Sequence, residues 1–253
     1  MLLLVTDTSG KQGSVALVRN HESAKPQDAK PHQAKPHEAK PYDAKLDDVT
    51  VIEEVPLEGG TFSAQLVPQI ASLLAQHHFR KTDLDAFVVV SGPGSFTGLR
   101  VGLAAIKALA EILRKPIVPV SLLEVVALAS RAQGKVLAAL DAGRAEVFAG
   151  EYHVAGETTQ PVKEQLLSRD AFLTLARDFA LAIPDQALAA MAKDAGLEFV
   201  PLDRPRAATI ARLGLRKLRA GETVDPAHLE ANYIRRSDAE IFAKPTATLS
   251  GRT

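Results

Sequence analysis

Leu2-Leu3-Leu4-Val5-Thr6-Asp7, closed by Thr8-Ser9-Gly10, and Val136-Leu137-Ala138-Ala139-Leu140-Asp141, closed by Ala142-Gly143-Arg144, are two versions of one pattern. Each is an apolar run too short for a helix that ends in an aspartate and a tight-turn sequence. Each is followed at once by a β-rich stretch, Gly13 to Val18 in the first case and Glu146 to Tyr152 in the second. Apolar on both faces, such a run is a buried strand, and the return stretch pairs with it as a hairpin. A strand–turn–strand unit near the start of each half predicts a duplicated α/β architecture with a cleft between the halves.

Working outward, Phe62, Leu66, Ile70, Leu73 and His77 recur at helical spacing, with Pro68 as a kink or late start. Ala86 to Val90 is a second buried strand. The glycine-rich Ser91-Gly92-Pro93-Gly94-Ser95-Phe96-Thr97-Gly98 turns it into a long helix that ends near Leu113, and Pro116 stops that helix. Strand signals at Pro116 to Val120 and helical stretches near 122–131, 170–179, 186–195 and 206–220 complete the chain. The expected division is residues 1–115 and 116–253, with the last segment packing back on the first half. One stretch breaks the texture. From Ala24 to Lys45 the chain reads AKPQD AKPHQ AKPHE AKPYD AK, where a proline every fifth residue excludes helix and central strand. This is the composition of a solvated, polyproline-leaning loop, and its flanks, Gly13 to Val18 and Val49 to Ile52, are expected to pair across it. His32 and His37 within it are either a weak metal pair or simply solvated.

Composition narrows the function. Thirty basic and thirty acidic residues in 253 cancel, so no global field draws the chain to nucleic acid or a membrane surface. Without cysteine there is no disulfide, thiolate metal site or cysteine nucleophile. The apolar start is too short for a signal-peptide core and no 18-residue apolar run follows, which fits a soluble cytoplasmic protein.

Among the motifs, the glycine loop invites phosphate binding at a helix start, yet its spacing matches neither a dinucleotide fingerprint nor a Walker loop. A turn that seats a special helix is the other reading. The helix after it carries two apolar stripes, Leu99, Leu103, Ile106, Ala110 and Leu113 on one side and Val101, Ala105, Ala108 and Ile112 on the other. An ordinary surface helix needs one, so the second predicts a partner surface, with Gly98 and Gly102 permitting close helix approach. Phe62, Leu66, Ile70, Phe96, Leu99, Arg100, Leu103 and Ile106 are the expected interface. Asp7, Ser9 and Asp141 are either a vestigial nucleotide cleft, with carboxylates as hard-cation ligands, or plain turn formers. His77-His78 is a helix end or a ligand pair. Arg204 to Arg219, basic without an acid between, is a nucleic-acid patch or a solvated face.

Ser91-Gly92-Pro93-Gly94-Ser95-Phe96-Thr97-Gly98-Leu99-Arg100-Val101-Gly102 resembles the bacterial TsaB (YeaZ) family of tRNA threonylcarbamoyladenosine synthesis. The opening Val5-Thr6-Asp7-Thr8-Ser9, the hairpin Asp141 to Phe148 and the late Tyr233-Ile234-Arg235 match in the same order. The resemblance covers the chain except about Ser23 to Leu46. It implies the duplicated actin/Hsp70-like ATPase (ASKHA) fold, two domains with mixed sheets flanked by helices. It also implies a non-catalytic scaffold that binds a TsaD-type catalytic subunit and a TsaE-type ATPase. Together these install threonylcarbamoyl on N6 of adenosine 37 in ANN-reading tRNAs, and the scaffold alone would be a homodimer, without cofactor or metal. In the related catalytic proteins a metal-binding His-x-x-x-His follows the strand after the long helix, where this chain has Leu122 and Val126. The family's later Gly-Asp-Gly-like turn is replaced by Ile183-Pro184-Asp185-Gln186. The rival expectation is an ATPase or metallopeptidase-like enzyme working in the inter-domain cleft through Asp7 and Asp141.

Overall fold

The computed structural model describes residues 1–21 and 49–234. The first half runs β1 (Leu2–Asp7), β2 (Gln12–Asn20), β3 (Val49–Glu58), α1 (Phe62–Gln76), β4 (Ala86–Gly92), α2 (Phe96–Leu113), β5 (Ile117–Ser121) and α3 (Leu122–Ala129). The second runs β6 (Gly134–Gly143), β7 (Glu146–Ala155), β8 (Thr158–Ser168), α4 (Arg169–Leu175), β9 (Ala180–Ile183), α5 (Gln186–Asp194), β10 (Phe199–Pro201) and α6 (Ala207–Arg219).

The two sheets have one topology. Their strand orders are β3-β2-β1-β4-β5 and β8-β7-β6-β9-β10. In each, the first three strands form an antiparallel meander and the last two join in parallel. The predicted duplication is therefore real, and the two mixed sheets flanked by helices are as expected. The break between halves differs from the expected 115/116 division. Pro116 does stop α2, but the strand behind it, β5, pairs with β4 and closes the first sheet, because a helix crossover returns the chain parallel to the strand it left.

Hydrophobic burial explains the layering. β1 and β4 are buried at every position, so both faces of the first sheet must be covered. One face, with Leu4, Leu17, Phe87 and Val89, packs under α1 and α2. The other, with Leu3, Val5, Val88 and Val90, meets α3 and α6 in a core shared with Val136, Ala138 and Leu140 of the second sheet. α4 and α5 cover that sheet's outer face. The last helix of each half crosses over: α3 lies on the second sheet, while α6 lies on the first. Gly214 of α6 makes this crossing close, since a Cβ there would overlap the Val88 side chain.

β8 has no clear sequence signal, being polar and interrupted by Pro161. As an edge strand it tolerates both. The AKPxx insertion at 24–45, with His32 and His37, lies outside the described residues. β2 and β3 pair from Gln12–Glu58 to Asn20–Val49, as the flanks of the insertion predict. Excising Ala24 to Lys45 and joining the remaining chain through a short Asn-Gly turn is expected to change stability by about 1 kcal/mol or less, since loop-closure entropy varies slowly with length. Thermal melting of the excised protein checks this.

Candidate functional site

The glycine loop proves to be a seat for α2. The Ser95 N–H donates to the Ser9 carbonyl at 2.7 Å, and the Ser95 hydroxyl caps the helix by accepting from Gly98 N–H at 3.3 Å. A methyl at Gly94 would overlap the Ser9 carbonyl oxygen, one at Gly98 the Thr8 carbonyl oxygen, and one at Gly102 the Thr8 hydroxyl. The glycines thus let α2 run hard against the β1–β2 turn. The expectation that Gly98 and Gly102 admit a neighbouring helix is corrected: what they admit is Thr8.

That turn forms one wall of a cleft of about 1120 Å³ between the halves, lined also by the β6–β7 turn at Asp141 to Arg144, by Asp185 and Arg204, and by Phe96, Arg100 and Tyr233. Asp7 sits beneath the wall and is committed. Its Oδ1 accepts from Ser9 N–H at 2.8 Å and the Ser9 hydroxyl at 2.5 Å, and its Oδ2 lies 3.4 Å from Arg204 Nη2. The same guanidinium nitrogen donates to Ser9 Oγ at 2.8 Å. The carboxylate that a metal–nucleotide reading would use is thus already paired with a protein cation. Asp141 is a turn former: its Oδ1 accepts from Gly143 N–H at 3.0 Å, and its own N–H donates to Asp185 at 3.0 Å. Burial pushes the Asp185 carboxyl up, against that hydrogen bond and the Arg204 charge. No cluster of three metal-ligating side chains occurs among the described residues. Leu122 and Val126 open α3 as buried hydrocarbon side chains.

Polar clasps hold the halves together. Glu164 of β8 accepts from Ser121 Oγ at 2.5 Å, from Asn232 Nδ2 at 2.5 Å and from the Tyr152 hydroxyl. Burial beside that carboxylate drives the Tyr152 phenol far up. Asn232 N–H also donates to Ser91 O at 2.8 Å, so the chain after α6 is strapped across the start of the glycine loop. Glu164→Ala leaves these donors unpaired and is expected to cost about 2 kcal/mol, read by urea unfolding. The basic stretch is largely spent on acids. Arg206 pairs with Glu54 at 3.3 Å, Arg216 with Glu157 at 3.5 Å, and Lys217 with Glu124 and Glu222 at 3.2 Å each. His77 ends α1 with Nε2 2.6 Å from Glu53, a helix end with a carboxylate neighbour.

The expected interface residues divide. Phe62, Leu66, Ile70, Leu99, Leu103 and Ile106 are at most 5% exposed inside the first half, so they face the sheet and not a partner. Phe96 and Arg100 are exposed, at the cleft mouth. Of the second stripe, Ala108 and Ile112 face outward, while Val101 and Ala105 are half-buried against the first core. Ala64, Val67, Pro68, Ala71 and Ala75 of α1 and Ala104, Ala108 and Ile112 of α2 are exposed, with Ile112 71% and Val67 50% accessible. α1 has no charged residue at all. Two adjacent helices therefore present a largely apolar face, broken by exposed Ser63, Ser72 and Glu111.

Comparison with known proteins fits this geometry. Residues 59–216 match the family model described as TsaD: tRNA N6-adenosine threonylcarbamoyltransferase. Two proteins called tRNA threonylcarbamoyladenosine biosynthesis protein TsaB are each 28% identical: one of Bacillus subtilis, covering 77% of this chain and 88% of that protein, and one of Escherichia coli, covering 76% and 89%. The chain belongs to the TsaB/YeaZ branch of the TsaD family. An uncharacterized protein of Mycobacterium tuberculosis is 31% identical over 78% of the chain and 86% of its own length. The solved structure of YeaZ from Pseudomonas aeruginosa shares the fold, with a TM-score of 0.65 at 22% identity, covering 92% of this chain and 99% of that one. In this TsaB-family chain the cleft is walled by turns whose carboxylates are already satisfied. No helix among the described residues is long and apolar enough to cross a membrane.

Proposed function

We propose that the chain is a cytoplasmic, non-catalytic subunit of the assembly that places threonylcarbamoyl on N6 of adenosine 37 in ANN-reading tRNAs. In this reading it docks on a TsaD-type catalytic subunit through the outward face of α1 and α2, a TsaE-type ATPase joins the assembly, and the isolated chain pairs with itself through the same face. The observation that carries this is the largely apolar α1–α2 face, a surface spanning two helices with Val67 and Ile112 unburied. Such patches on soluble proteins mark interaction sites. Arg204 on Asp7 and Ser9, the turn-forming role of Asp141, and hydrocarbon at Leu122 and Val126 support a chain that leaves the chemistry to its partner.

The test is light scattering on the purified chain alone and mixed with the TsaD-family catalytic subunit of the same source. A self-dimer that gives way to a heteromer on mixing supports the proposal. A chain that stays monomeric in both samples overturns it.

A further inference from the structure

The mouth of the cleft holds a stack that neither the fold nor the α1–α2 face requires. Phe96, at the first position of α2, and Tyr233, after the strap, lie with ring centroids 5.2 Å apart, tilted by 37°. The Arg100 guanidinium lies 3.6 Å from the Phe96 centroid, and its Nε donates to the Tyr233 hydroxyl at 3.0 Å. Two exposed aromatic rings are thus pinned at a fixed angle, Phe96 36% and Tyr233 43% accessible. Arg100 makes no ion pair with any described acid, nor does Lys11, which lines the same cleft from the β1–β2 turn. The cleft's acids are turned to other uses, Asp141 to its own turn and Asp185 to the Asp141 N–H.

We infer that this mouth is a contact for single-stranded RNA: an unpaired base stacks on the Phe96–Tyr233 platform while Arg100 and Lys11 hold flanking phosphates. The inference rests on the chain's proposed place in tRNA modification. Three features favour a polymer segment over a small ligand. The cavity of about 1120 Å³ exceeds the usual small-ligand range of roughly 300–1,000 Å³. The rings are exposed with Arg100 against them, and Lys11 lines the same cleft with no acidic partner. Aromatic faces pinned beside arginine are what unstacked bases use, and they bind without reading a particular sequence. The same geometry moves any RNA contact away from α6, where Arg216 and Lys217 already have acidic partners.

Fluorescence anisotropy of the full-length chain with a labelled ten-nucleotide oligoadenylate RNA tests this, with the same strand as a duplex and unlabelled ADP as comparison arms. Single-strand binding is expected to fall about tenfold in Phe96→Ala and in Tyr233→Ala, as for loss of one base stack. With two phosphate contacts, log affinity should fall with log salt at a slope near −1.4, flattening to about −0.7 in Lys11→Gln. Melting curves of the variants show that each is folded, and Phe96→Leu serves if Phe96→Ala is not. Failure of the wild-type chain to bind, equal binding by all variants, equal affinity for the duplex, or full displacement by ADP would overturn the inference. So would variants that lose the catalytic subunit while keeping RNA, which would make the mouth a protein contact. Light scattering separates the two proposals. RNA binding lost with heteromer formation intact refutes this one alone, and RNA binding kept without heteromer formation refutes the complex instead.

Discussion

Leu103→Asp is expected to melt far below the wild-type protein, whereas Ile112→Asp on the same helix should fold normally and fail to associate. Leu103 is 5% exposed and sits in the core with Phe62, Leu66, Phe87 and Ile106, where an unpaired carboxylate has no hydrogen-bond partner. A buried, unpaired charge costs about 4 kcal/mol or more, a large share of the roughly 5–15 kcal/mol that holds a domain folded. Ile112 is 71% exposed, so the same change there should alter stability by only about 0.5 kcal/mol. If the outward face is a docking surface, the charge costs about 2 kcal/mol or more of association, roughly 30-fold in affinity. Circular dichroism melts and titration calorimetry against the catalytic subunit separate the two effects. Wild-type affinity in Ile112→Asp would remove the α1–α2 face from the interface.

Gly98→Ala is expected to be strongly damaging for a single methyl. Its added carbon would overlap the Thr8 carbonyl oxygen and crowd a Phe62 ring atom at 3.1 Å. The carbonyl has little room to withdraw, because Thr8 is buried and directly follows β1, which is paired with β2 and with β4. α2 must shift instead, at a cost of about 3 kcal/mol of overpacking. The shift carries the outward face and the cleft mouth with it, so association should weaken as well as stability. Thr97→Ala, one residue away on the exposed side of the helix, is the control and should stay within about 0.5 kcal/mol. Equal melting temperatures for the two would show that the loop yields and that the glycines are not a steric seat.

Local sequence carried much of this architecture. The paired apolar runs ending at Asp7 and Asp141 gave away the duplication, because strand, aspartate and turn are neighbours in the chain. α2 was legible at its end near Leu113, since Pro116 follows it, but it starts at Phe96 under a Ser95 cap, three residues before the apolar stripe that marked it. The interface was legible only as a helix with two apolar sides. Side-chain size only partly marks the core side: Leu99, Leu103 and Ile106 fill the interior and Ala104 and Ala108 lie outside, but Ile112 lies outside too. Reading the large residues as the contact reversed the two. The remainder depended on distant pairs that no local pattern records. Arg204 reaches Asp7 and Ser9 from the far end of the chain, Glu164 gathers Ser121, Tyr152 and Asn232 from separate elements, and α3 and α6 each cross to the other sheet. β8 stayed hidden because an edge strand need not alternate and can carry Pro161.

The most direct measurement is reconstituted modification of an ANN-reading tRNA. Purified chain, the TsaD-type subunit and the TsaE-type ATPase are supplied with ATP, threonine, bicarbonate and the enzyme that makes the threonylcarbamoyl donor, and N6-threonylcarbamoyladenosine is quantified by mass spectrometry. A non-catalytic partner predicts no sustained product when the TsaD-type subunit is left out, and full product only when this chain accompanies it. Sustained product from this chain without the TsaD-type subunit, or undiminished product when this chain is omitted, would contradict it.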